Sequence, residues 1–132
     1  MKDMLQACHA ALKATRGAVL SLACFHPDQT LSWSGVGNVE GRLLRADGSA
    51  PCSLLLRPGV LGYRLPPLRA ETLPVFPGDT LILVTDGISY FRNEDIPAQL
   101  PPQALAEYIM AHHGKGSDDA LVLVVRYQGA SS

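Results

Sequence analysis

Two acidic steps in the chain stand where side chains could do chemistry. Thr85-Asp86-Gly87 directly follows the apolar run Leu81-Ile82-Leu83-Val84, and Ser117-Asp118-Asp119 directly precedes the apolar run Ala120 to Val125. A carboxylate at the end of a buried strand is held by a rigid scaffold and still reaches the rim of its sheet. Taken singly, each step has a plain alternative: Asp-Gly after a strand is a common turn, and adjacent acids in solvent repel each other only weakly. The pair carries more than either member. If the two apolar runs are neighbouring antiparallel strands, the end of one and the beginning of the other share an edge, and Asp86 and Asp118 come within reach of one cation. Oxygen donors without sulfur or imidazole suit hard ions, magnesium or manganese.

Other chemistries find less support. His112-His113 is the only histidine doublet; neighbours on a helix point in different directions, and a position at a helix end suits dipole compensation. His9, on a helix, and His26, in a turn, read as structural. Cys8, Cys24 and Cys52 are odd in number with no close pair. That argues against a disulfide framework and a zinc knuckle, and for small core residues in a reducing compartment. There is no Gly-x-Ser-x-Gly elbow, and no cysteine or serine has an evident histidine partner. Gly35-Val36-Gly37-Asn38 lacks the third glycine and the Lys-Ser/Thr of a phosphate loop, and reads as a bend between strands.

The elements that must position these residues follow from pattern. With 132 residues, 47% of them apolar, the chain has enough material for one domain with a core. Its 11 basic and 12 acidic side chains nearly cancel, so it has no cationic footprint for nucleic acid or anionic lipid. No apolar stretch nears the roughly 20 residues that span a bilayer, and the amino terminus lacks a secretory pattern; a soluble cytoplasmic protein is expected. Met4, Leu5, Cys8, Ala11 and Leu12 recur at helical spacing and predict a helix over residues 2–14. Strands are expected at 18–25, 30–34, 39–45, 51–56, 71–75 as an edge strand limited by Pro74, 80–85 buried on both faces, and 121–125 as a second core strand. The turns are His26-Pro27-Asp28-Gln29, Asp47-Gly48 and Pro77-Gly78-Asp79. Residues 57–67, rich in Pro and Gly, read as irregular. A second helix starts at Pro101-Pro102 and turns Ala104, Leu105, Tyr108 and Ile109 inward. The sum is an α+β fold of antiparallel sheets with helices on their outer faces, with a loose tail over residues 129–132.

Taken together and in order, Cys8-His9-Ala10-Ala11-Leu12 with Thr15-Arg16-Gly17-Ala18, Gly35-Val36-Gly37-Asn38-Val39-Glu40, Gly78-Asp79 through Thr85-Asp86-Gly87, and Asp118-Asp119 resemble the stage II sporulation protein E branch of the PPM-type phosphatases, particularly its small RsbX-like members. The resemblance runs from the first helix to the last strand, over residues 1–128. It implies an antiparallel β-sandwich flanked by α-helices, with carboxylates at one end holding two manganese or magnesium ions. Asp86 and Asp118 map onto metal ligands, with Gly87 and Asp119 near the site. No protein nucleophile is implied: water activated by the metals attacks phosphorus. The implied substrate is a phosphorylated STAS-domain regulator in a partner-switching stress or sigma-factor pathway.

Members of that family open with strands carrying a Gly-Asp step and an Asp-Gly-x-Gly-His-like segment, which supply the remaining metal carboxylates. No residue before Met4 matches them, so the amino-terminal part of the domain is expected to be missing. Two expectations follow for this chain alone. Metal binding should be weak, on the order of millimolar, with little or no turnover. Exposed core surface should lower solubility or drive self-association into a homo-oligomer. The alternatives are a catalytically silent phosphatase-like module that docks a regulatory partner, and a purely structural β-rich domain in which Asp86 and Asp118 are turn residues.

Overall fold

A computed structural model describes residues 1–54, 56, 58–63, 65–68, 70–116 and 119–129. The chain forms two compact units, Met1–Val39 with Leu54–Val75, and Glu40–Ser53 with Phe76–Ser132.

The first unit begins with α1, Lys2–Ala11. Its stripe at positions 5, 8 and 12 is the one that packs: Leu5 is fully buried in a cluster with Val36 and Leu61, joined by the half-buried Cys8 and Leu12. Met4 and Ala11, expected on the same face, are exposed; they sit one residue before the stripe, about 100° round the helix. The helix stops short of residue 14 because Thr15 caps it, its hydroxyl donating to the Leu12 carbonyl (2.8 Å) and accepting from the Gly17 amide (3.0 Å). Gly17 has φ +78°, and a Cβ there would collide with the Leu61 carbonyl, so this stop requires glycine.

A three-stranded sheet follows in the order β1-β2-β5, with β1 Leu20–Phe25, β2 Thr30–Val36 and β5 Glu71–Pro74. Both pairings are antiparallel, and β5 is the edge strand expected from Pro74. The β1-β2 turn closes with His26 N–H donating to the Thr30 carbonyl (2.9 Å), Gln29 taking a positive φ of 63°. Gly35 and Val36 belong to β2 itself, so the bend expected over 35–38 is confined to its last two residues. At Gly37, φ +117°, a Cβ would collide with the Val19 side chain.

In the second unit the strand order is β4-β3-β6-β7, with β3 Glu40–Leu44, β4 Cys52–Leu54, β6 Thr80–Val84 and β7 Val122–Arg126. β6 lies between β3 and β7, antiparallel to both. Ile82 and Val84 on β6 stand opposite Val124 and Val122 on β7. They pack with Leu105 and Ile109 of α2, Pro102–His113, and with Ile88, Phe91 and Ile96. The expectation for β7 needs correction. It is an edge strand, and Leu121 and Leu123 are 64% and 48% exposed. An apolar run shows that a strand packs, but not how many neighbours it has.

Among the described residues, two antiparallel sheets and two α-helices make the α+β class expected from sequence. Between Phe91 and α2 the chain adds a 3₁₀ turn, Asn93–Asp95, in which Arg92 and Asp95 cap each other; periodicity gave no sign of it. The tail expected at residues 129–132 lies, beyond Gly129, outside the described residues, as do parts of the strand and irregular stretch expected over 51–67. No helix among the described residues is long and apolar enough to cross a membrane.

Candidate metal centre

The β6-β7 ladder does not end at Val84 and Val122. Thr85 N–H donates to the Leu121 carbonyl (3.1 Å), and Leu121 N–H donates back to the Thr85 hydroxyl (2.9 Å). This extra step carries the chain into a turn closed by Ile88 N–H on the Thr85 carbonyl (3.1 Å). Gly87, at its apex, is buried. A Cβ there would run into the Asp119 carbonyl oxygen and stand 2.8 Å from the Ala120 Cβ, so only glycine lets the turn approach the start of β7 this closely.

On its other flank the turn is fastened to the end of α2. Lys115 N–H donates to the Gly87 carbonyl (2.9 Å), Ser89 N–H to the His113 carbonyl (2.7 Å), and Ile88 bridges Gly114. The backbone of Thr85-Asp86-Gly87 is therefore held from two sides, and the exposed residues Asp86 and Asp119 share one rim of the sheet. The antiparallel neighbourhood on which the sequence argument was conditional is present. Of the expected site residues, Asp86, Gly87 and Asp119 are brought together; Asp118, with Ser117, lies outside the described residues.

Exposed carboxylates on a fixed backbone fit a hard divalent ion. Among the described residues, no group of three or more His, Cys, Asp or Glu side chains could hold a metal by itself. The Gly78-Asp79 step serves the fold instead. Asp79 is 2% exposed and accepts from Arg45 Nη1 (2.8 Å), Ala46 N–H (2.9 Å) and Phe76 N–H (2.9 Å). It ties the β6 entry turn to the end of β3.

The histidines divide. His112 Nδ1 bonds the Tyr108 carbonyl (3.0 Å) with its ring stacked on Tyr108, and the His113 ring packs on Phe91. His9 Nδ1 accepts from Gly62 N–H (2.9 Å). These are structural, as read from sequence. His26 is not so plain. Its Nε2 lies 2.7 Å from Ser32 Oγ and its Nδ1 3.9 Å from Cys24 Sγ, and Ser32 Oγ is 3.2 Å from Thr72 Oγ1. A serine and a cysteine thus do have a histidine partner, against the sequence reading, and Cys24 is exposed and free rather than a core residue. The signal lay in the hairpin register, which sets Cys24 opposite Ser32, with His26 two residues on along the same strand face.

Comparison with known proteins supplies the relationship. The sequence profile of the stage II sporulation protein E (SpoIIE) family matches residues 1–128. A search of curated protein sequences finds no match. Among solved structures, a chain from a study of the bacterial stressosome as a modular system adapted to control secondary messenger signalling superposes with a TM-score of 0.79 at 30% identity, covering 94% of this chain and 66% of its own. RsbX in complex with magnesium gives 0.79 at 20% identity, covering 93% and 62%. The phosphatase domain of SpoIIE from Bacillus subtilis gives 0.64 at 18% identity, covering 99% and 68%. The chain spans less than two thirds of the length of the first two. With the profile match over nearly its whole length and the shared PPM-phosphatase fold, the chain belongs to the stage II sporulation protein E family.

Proposed function

We propose that this chain carries part of a metal-dependent protein serine/threonine phosphatase site, with Asp86 and Asp118 as ligands of manganese or magnesium and Asp119 beside them. The observation that supports this reading is the clamped turn: Gly87 packs directly against the backbone of Asp119 and Ala120, so the backbone of Asp86 stands beside the start of β7, inside a chain of the stage II sporulation protein E family. A divalent ion there supplies Lewis acidity toward phosphoryl oxygens. The chain's own part is to fix carboxylates on a rigid backbone, so that no reorganisation is needed when charge develops. The reaction is hydrolysis: water adds to phosphorus, the ester bond to the Ser or Thr oxygen breaks, and that oxygen takes the proton.

The substrate class we propose is a phosphorylated STAS-domain regulator of a partner-switching pathway in the cytoplasm. Likeness to RsbX and to a stressosome chain supports it. A silent docking module is the second reading, favoured by the lack of a three-ligand group among the described residues. Manganese binding in the millimolar range and binding of a phosphorylated STAS domain, each measured for the wild type and Asp86→Asn, separate the two. A manganese response abolished by the substitution supports the phosphatase site; partner binding equal in both proteins with no manganese response in either supports the docking module.

A further inference from the structure

A cavity of about 480 Å³ opens between the start of β6 and the segment leading into α2, lined among others by Arg45, Thr80, Ala98, Gln99 and Arg126. It lies at the opposite end of β6 from Asp86, about 20 Å along the strand at some 3.3 Å per residue, and has no part in the metal site.

Its two cations are not equivalent. Arg45 is matched by Asp79 at 2.8 Å. Arg126 is half-buried, and its hydrogen bonds go to neutral acceptors: Nε donates to the Thr80 hydroxyl (3.1 Å) and Nη2 to the Ala98 carbonyl (2.8 Å). No acid among the described residues pairs with it, and Nη1 has no hydrogen-bond partner among them. Thr80, one of its anchors, is itself only 3% exposed.

An arginine fixed at two corners by neutral acceptors keeps its charge unmatched by any acid among the described residues. Its planar fork is already oriented, so little side-chain entropy remains to be lost on binding an oxyanion. The amide of Gln99, exposed on the same wall, adds a further N–H donor. From this geometry we infer that the cavity is a binding site for a small oxyanion, a phosphate or carboxylate group, received by Arg126. The volume leaves room for a group attached to that anion. The site is independent of the phosphatase reading.

The test is a two-dimensional NMR titration of the full chain at about 150 mM chloride, with a chelator present to keep divalent ions away from Asp86. Inorganic phosphate and acetate are added in separate arms. Saturable shifts of the Ala98, Gln99 and Arg126 amides are expected with at least one of them, and the arm that saturates names the anion. Arg126→Gln should weaken binding about tenfold or more, the usual worth of a charge-assisted hydrogen bond. Because Arg126 also braces Thr80 and Ala98, Gln99→Glu is the second variant. It places a negative charge on an exposed position and should weaken binding equally with an unchanged melting temperature. Non-saturating shifts in both arms, or saturable shifts that Gln99→Glu leaves intact, overturn the proposal.

Discussion

At the residue scale, Gly87 is the position on which the candidate site depends. The space for a side chain is filled by the Asp119 carbonyl and the Ala120 Cβ. Gly87→Ala must therefore push the Asp86 turn away from β7, at a cost of about 1–3 kcal/mol as for other overpacked sites. Urea denaturation should show that loss, and metal response should fall with it; an alanine variant of wild-type stability would contradict the packing described. Asp86 and Gly87 were legible in the sequence because a fully apolar strand followed by Asp-Gly states both its burial and its stop. Asp79 was read only as part of a turn, since nothing local shows that its partner is Arg45, 34 residues earlier. The Cys24, His26, Ser32 and Thr72 cluster was missed because its members meet only through strand register.

At the element scale, α2 was readable from both ends: prolines at its start, and Leu105 and Ile109 four residues apart on its inner face. Both are fully buried against Ile82 and Val84, so Ile109→Ala should cost about 2–5 kcal/mol. A smaller loss in chemical denaturation would mean that α2 packs less tightly on β6 than it does here. The edge position of β7 was not readable, because a run of six apolar residues looks the same whether one neighbour or two cover it.

The 3₁₀ turn has its own signature. The side-chain hydrogen bond from Arg92, followed by the Arg92 backbone N–H, holds the Asp95 carboxyl below its ordinary 3.8. A lowered folded value means that the contribution is complete above the ordinary value and is lost as pH falls through the lowered one. Carbon-detected NMR titration of Asp95 should give a midpoint under 3.8, with the turn's amide shifts moving only there. A midpoint at or above the ordinary value would show that the Arg92 contact does not persist in solution.

At the scale of the whole molecule, each unit organises around its own cluster: Leu5, Val36 and Leu61 in one, and the α2 face of the four-stranded sheet in the other. Every described member of the candidate metal centre belongs to the second unit. The family was legible from four short motifs in order, although the Gly78-Asp79 step that opens the third of them ties the fold together. The metal roles rest on Asp86 and the acids before β7 acting on one ion. Paramagnetic broadening by manganese measures this most directly. Titration of the full chain into about the millimolar range should broaden the amides of Asp86, Gly87, Asp119 and Ala120 together and first, and Asp86→Asn should abolish the effect. Broadening centred elsewhere, or unchanged in the variant, would contradict the account.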